Sequence, residues 1–362
     1  MGCQGDLARR RRQGLRDALR RAGQFALEAG CDAVTIGGDL YEHDRAGVDT
    51  ARFLAETFAG WRPTRVFIAP GNHDALLPGS IHRRTKWPDN VSLFTDPDFV
   101  PIPLRDGLTL WGLAHCEPEW RGRPLAGFIA PGEGVHLALF HGAEMGSRPE
   151  GKSAHGPFEA EQIAEAGLAA ALCGHYHHRR IDARSHLVYP GSPEPLTFDE
   201  DGERGPVIVE VLDDGQIRYD ALNLNRWRVA SITCDLESCT SQQDVLEALV
   251  AACLPAAQAG DPERTLLRVD LSGSVSSSVP LDAFTIESEA RDRLDCALVK
   301  VRDRTSPAHD VEAAQTDRGT RGAFARAAVA AEREATPAEA GVLHDALRYG
   351  LAALSGSEVG LR

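Results

Sequence analysis

The sequence predicts an α/β fold: largely parallel strands between helices, then a smaller α+β region and closing helices. Two observations carry this. Four short apolar runs, at 33–36, 66–69, 135–140 and 169–173, read as buried parallel strands. Each ends on Asp or His beside glycine: Gly38-Asp39, Gly71-Asn72-His73-Asp74, His141-Gly142 and Gly174-His175-Tyr176-His177. In open α/β sheets ligands bind past the carboxyl ends of the strands. Glycine there lets the backbone pass close to a site.

The elements follow in order. Residues 7–29 form an amphipathic helix, with Leu15, Ala18, Leu19, Ala22, Phe25 and Ala26 on one face. The other face carries Arg9, Arg10, Arg11, Arg12, Arg16, Arg20 and Arg21. It reads either as a solvated surface or as a patch for nucleic-acid phosphates. A strand at 33–37, a helix over about 48–60 and a strand at 65–69 come next, then strands at 108–113 and 135–140. A polar loop from Gly142 to Pro157 precedes a helix near 159–167 and a strand at 169–173. Leu187-Val188-Tyr189 leads to Pro190-Gly191-Ser192-Pro193, and strand 207–211 pairs with 216–219 across Asp213-Asp214-Gly215. The first domain is thus 1–225.

The pattern then changes. A strand at 227–235, a helix from Ser241 with Val245, Leu246, Leu249 and Val250 on one face, and a strand at 265–271 make a small α+β domain over 226–302. A polar linker is expected at 303–319 and a helical, partner-binding segment at 320–362. Its last helix opens with the capping box Thr336-Pro337-Ala338-Glu339 and carries the stripe Leu343, Leu347, Leu351 and Leu354.

Composition bounds the function. The 362 residues are 43% hydrophobic, without an apolar run long enough to span a bilayer. No apolar segment follows Met1-Gly2-Cys3, and Asp6 stands where myristoylation wants Ser or Thr. The net charge of −14 argues against wide binding of polyanions, though not against a local basic track. The eight cysteines form no CxxC pair and read as small core residues, so a reduced, cytoplasmic protein is expected.

The chemistry lies in Asp39, Asn72, His141, His175 and His177, with His73 beside them. Carboxylate, carboxamide and imidazole suit borderline cations such as manganese, zinc or iron. A carboxylate can bridge two ions that clamp both oxygens of a phosphoryl transfer. There is no phosphate loop ending in Lys-Ser/Thr and no GxSxG elbow.

In order and spacing these motifs resemble those of the calcineurin-like metallophosphoesterases: GD, GNH(D/E), an isolated His and GHxH, over about residues 10–225. Gly38-Asp39-Leu40-Tyr41, Pro70–Asp74 and Tyr189–Pro193 look most like the DNA repair exonuclease branch, the SbcD-like nuclease subunit. The resemblance implies strands sandwiched by helices, a capping domain, DNA as substrate, an SMC-like coiled-coil ATPase as partner, and a homodimer as a further option. It implies two divalent ions, manganese first, with zinc, iron or magnesium as alternatives. Asp39 would bridge them. Asn72, His141 and His175 would complete one shell, and His177 would serve the other ion. His73 would be the general acid, held by Asp74. Glu42 sits where the family often has an acidic residue or histidine. The family's opening strand ending in Asp-x-His has no counterpart here, which a start codon assigned too far downstream, or else a truncated or degenerate member of the family, would explain. The chain as written is therefore expected to hold at most one ion well and to be weak in catalysis. A stand-alone phosphoesterase for nucleotides or phosphoproteins, and a non-catalytic scaffold, are the alternative readings.

Overall fold

The computed structural model describes residues 5–148, 153–276, 279–308 and 311–354. The chain divides into two compact units, Met1–Arg228 and Val229–Arg362.

In the first unit α1 (Gly5–Glu28), β1 (Ala33–Ile36), α2 (Val48–Ala59), β2 (Arg65–Ile68), α3 (Ile81–Arg84) and β3 (Val91–Leu93) follow one another. The strands β1, β2 and β3 form a parallel sheet in that order. Next come β4 (Val100–Arg105), β5 (Leu108–Gly112), β6 (Val135–His141), α4 (Glu161–Glu165), β7 (Ala170–Gly174), β8 (Arg180–Asp182) and β9 (Leu187–Tyr189). They build a second sheet, β4-β5-β6-β7-β9-β8, parallel at its centre and antiparallel at both edges. The hairpin β10 (Val207–Val211) and β11 (Ile217–Ala221) completes the unit.

Alternation along the strands sets the layers, because successive side chains leave a strand on opposite faces. Phe67 and Ala69 share one core with Leu137, Leu139, Ala170 and Leu172, so the two sheets pack face to face. The intervening residues Val66 and Ile68 pack with Leu54, Phe58 and Trp61 of the helical side. Ala138, Phe140, Ala171 and Cys173 turn the other way, toward Phe158 and Ile163. Sheets between helical layers follow from this period of two, as the expected fold class requires.

On α1 the arginine face is largely spent within the chain. Arg16 pairs with Asp49, Arg20 with Asp17 and Arg21 with Glu194. Arg11 lies over the Trp227 ring at 4.7 Å. These contacts favour the surface reading of that face over a phosphate track.

The second unit opens with β12 (Arg228–Asp235), α5 (Gln242–Gln258), β13 (Thr265–Ser272) and β14 (Ser274–Val275). Then come α6 (Ala283–Leu294), β15 (Leu298–Asp303) and β16 (Ser306–Pro307). Ser241 Oγ caps α5 by accepting from Asp244 N at 3.2 Å. A sheet β12-β13-β15 packs on both helices around Leu249, Leu267, Val269 and Ile286.

The stretch expected as a linker differs: it holds β16 and α7 (Val311–Thr316). Val311 and Ala314 are apolar at helical spacing and pack with α8 (Thr320–Glu334) and α9 (Pro337–Leu354). Leu347 and Leu351 are buried in this core beside Phe324, whereas Leu354 and Val342 stay exposed. The two central leucines of the stripe expected to dock an ATPase are thus used inside a helical hairpin. The capping box forms as expected, with Glu339 Oε2 accepting from Thr336 N at 3.0 Å and Oγ1 at 2.6 Å. Among the described residues no helix is long and apolar enough to cross a membrane, and seven cysteines are free thiols.

Candidate metal centre

The loops after β1 and β2 of one sheet and β6 and β7 of the other meet because glycines let them touch. Gly38 has a positive φ of 93°, and a Cβ there would meet Gly71 N at 2.5 Å. A Cβ on Gly71 would meet Asp39 Oδ1 at 2.5 Å and His141 Nδ1 at 2.6 Å. Two of the delivered residues are themselves strained: Asp39 has φ 54° and His175 φ 123°. Non-glycine residues held there cost of order 1–3 kcal/mol each and cluster at functional sites.

Four expected residues converge. His141 Nδ1 faces the Gly37 carbonyl at 2.8 Å. A carbonyl only accepts, so Nδ1 carries the proton and Nε2 of the neutral ring is a bare lone pair. That lone pair faces Asn72 Oδ1 at 2.9 Å, His175 Nδ1 at 3.2 Å and Asp39 Oδ2 at 3.4 Å. Burial holds His141 down to about 4 and His175 down to about 3, with neighbouring histidines adding to the effect on His175. Both rings are therefore neutral near pH 7 and able to ligate. Burial, then the Asp74 charge, pushes Asp39 up to about 6, against a backbone hydrogen bond from His73 and the charges of His73 and His177.

The donor set fits a cation. Ligands at about 2.1 Å from one ion lie roughly 3.0–3.4 Å from each other, for octahedral and tetrahedral shells respectively. The measured separations fall in or next to that range. Among the described residues, His, Cys, Asp and Glu side chains alone form no group of three suited to a metal; the Asn72 oxygen adds the nearest donor to the His141 lone pair.

His177 lies apart from this cluster, its Nδ1 2.8 Å from Glu200 Oε1. Glu200 is buried and also accepts from Ser192 Oγ at 2.8 Å and Leu196 N at 2.9 Å. Such a carboxylate fixes the ring and leaves Nε2 to face a metal. Sequence reasoning missed Glu200, since an acidic residue 23 positions after His177 carries no local signal. His155, given no weight from sequence, has its ring 5.8 Å from that of His175. His115 is buried, with Nε2 2.8 Å from the His141 carbonyl.

Asp74 requires a correction. It was expected to hold the His73 ring. Instead its fully buried carboxylate accepts from Gly71 N at 2.6 Å, Asp39 N at 2.9 Å and Leu40 N at 3.0 Å, and faces His82 Nε2 at 2.9 Å. Burial opposes its charge, but these partners, His82 first, hold it below the usual carboxylate value. Asp74 thus ties the Asp39 loop to the Asn72 loop. The His73 ring is half exposed and its Nδ1 faces Glu42 Oε2 at 3.1 Å, so Glu42 holds it. The ring's geometry explains the change: consecutive side chains in a loop diverge, and His73 points outward where Asp74 points in.

The His177–Glu200 pair gives a pH prediction for the metal-free chain. The Glu200 hydrogen bond raises His177 above its ordinary 6.5, so that contribution is complete below 6.5 and fades as pH rises through the raised value. Glu200 is held down to about 2 from 4.5, so its contribution is complete above 4.5 and fades as pH falls toward 2. The pair stabilises most between 4.5 and 6.5. Glu200→Gln should lower the thermal midpoint most in that window and less at pH 8.5. A difference that grows steadily with pH would contradict the pairing.

Comparisons with known proteins give three similarities. A model of the family described as calcineurin-like phosphoesterase matches residues 3–179. The DNA double-strand break repair protein Mre11 of Methanopyrus kandleri is 25% identical over 261 residues, covering 62% of this chain. The chain spans 55% of the length of that relative. The solved TT1561 protein of Thermus thermophilus is similar over 57% of this chain and 94% of its own, at 16% identity and a TM-score of 0.36. Calcineurin-like phosphoesterases use divalent metal ions. Over residues 3–179, just under half of its length, the chain is thus similar to the calcineurin-like phosphoesterases.

Proposed function

We propose that this chain is a metal-dependent phosphodiesterase that acts on DNA, in the manner of an SbcD-like repair exonuclease subunit. The observation that carries it is the His141 lone pair facing Asn72 Oδ1, His175 Nδ1 and Asp39 Oδ2 within 3.4 Å. The likeness to Mre11 supports DNA over other phosphodiesters. A bound divalent ion would supply charge stabilisation at the phosphoryl oxygens and an activated water. Asp39, Asn72, His141 and His175 would hold it. His177 would serve a second ion that it shares with Asp39 alone among the described residues assigned here.

The other steps fall to the chain itself. Asp74 keeps the two ligand loops in register through backbone N–H groups. Glu42 Oε2 faces Nδ1 of the half-exposed His73 ring, which leaves Nε2 as the position from which a leaving oxygen can take a proton.

The test uses the purified full chain with manganese, zinc or magnesium, assayed on single-stranded DNA, bis(p-nitrophenyl) phosphate and p-nitrophenyl phosphate. Hydrolysis of DNA and of the diester should depend on the metal and disappear in Asp39→Ala. Metal analysis should find one tightly held ion per chain. Two tight ions would overturn the ligand assignment. A monoester turned over faster than the diester would move the reading to a stand-alone phosphoesterase. Metal bound without hydrolysis of any substrate would leave a scaffold.

A further inference from the structure

A second concavity opens on the sheet edge that carries the metal-ligand cluster. Strand β4 runs antiparallel to β5, with Val100 opposite Gly112, so the segment before β4 reaches the edge where β5 and β6 end. There Asp98 and Phe99 face Trp120, Arg123 and Phe128 across a cavity of about 310 Å³. No segment of known role accounts for it.

Its mixed lining includes the rings of Phe99, Trp120 and Phe128, which are supported from the core. The Phe99 and Phe128 rings lie 4.5 Å apart, and core rings back both: Phe140 at 5.6 Å from Phe99 and Trp111 at 5.3 Å from Phe128. Trp120 links the cavity to the centre, its ring 4.8 Å from His115, whose ring is 5.2 Å from His141. The Trp120 ring is thus within roughly 10 Å of His141, about one or two nucleotides of an unstacked strand, whose phosphates lie further apart than the ~3.4 Å duplex rise. Arg123 is exposed, in a chain of net charge −14.

Aromatic faces beside an arginine are what an unpaired base stacks on, because every base has a π-face and the guanidinium stacks as well. Asp98 at the rim can accept from an exocyclic amino group. The volume sits at the small end of ligand sites, which suits one base rather than a base pair.

We propose that this pocket takes one unpaired nucleobase of the strand being cut, about one or two nucleotides from the scissile phosphate. The inference rests on the DNA reading above and adds to it a requirement for single-stranded character near the cut.

A series of single-stranded 12-mers, each with one abasic nucleotide at a different position, tests it with the full chain and manganese. Cleavage at subsaturating DNA should fall about 5- to 100-fold when the abasic nucleotide occupies one position, counted from the end being cut, and little elsewhere. The double variant Arg123→Ala, Phe128→Leu should flatten that profile, and Arg123→Ala alone should weaken binding of every 12-mer to metal-free protein. A flat profile in the wild type, with DNA cleaved throughout, overturns the pocket and leaves the DNA reading intact. No cleavage of any 12-mer, with the small diester still hydrolysed, overturns the DNA reading and the pocket with it.

Discussion

Asp74→Ala is expected to cost about 3–5 kcal/mol of folding stability, the scale of several buried donors left unpaired less what relaxation recovers. The carboxylate is fully buried and collects four hydrogen bonds, three from backbone N–H groups of two loops and one from His82. Alanine leaves those donors without an acceptor where water does not reach. Each buried donor left unmade costs about 1–3 kcal/mol, and local relaxation recovers part of the sum. For a unit of this size the thermal midpoint should drop on the order of 10 °C. Asp74→Asn keeps one acceptor oxygen but turns an NH₂ toward the donors, so it should rescue little. A loss below about 1 kcal/mol for Asp74→Ala would mean that Asp74 does not clamp the loops.

The same loops show what was legible in the sequence. Strands β1, β2, β6 and β7 were readable because their apolar runs are short, continuous and closed by glycine. The convergence of Asp39, Asn72, His141 and His175 came about because those runs end on the same side of two packed sheets. Strand β4 was not readable: its sequence Val-Pro-Ile-Pro-Leu-Arg places Pro101 and Pro103 in a run that looks like a loop. Prolines fit there because β4 is an edge strand and need not donate on its open side. Strands β3 and β8 are three residues each, too short for a period. Glu200 and His82 were invisible for another reason. Both act at a distance in sequence, on His177 and Asp74, and only the folded chain brings them within 3 Å. The Asp74 assignment failed on the same ground: adjacency to His73 in sequence is not adjacency of side chains. The stretch 303–319 looked like a linker because its polar residues outnumber the few, Val311 and Ala314, that find a core.

His73→Ala is expected to lower DNA turnover by roughly 10²–10⁴, the range for a positioned general acid. On the proposed role, the ring has no part in holding a metal. Its side chain is about half exposed, it touches Glu42 rather than the His141 cluster, and only its backbone N–H reaches Asp39 Oδ1, at 2.9 Å. Alanine keeps that backbone donor, so metal content should persist. The leaving group then separates a proton donor from a structural residue. A DNA sugar oxygen leaves poorly without a proton, whereas p-nitrophenolate leaves well without one. The loss on bis(p-nitrophenyl) phosphate should accordingly be much smaller than the loss on DNA. Glu42→Gln should shift both rates in the same direction and by less, since it loosens the ring without removing it. Equal losses on the two substrates, or loss of the metal together with the ring, would assign His73 to a different task.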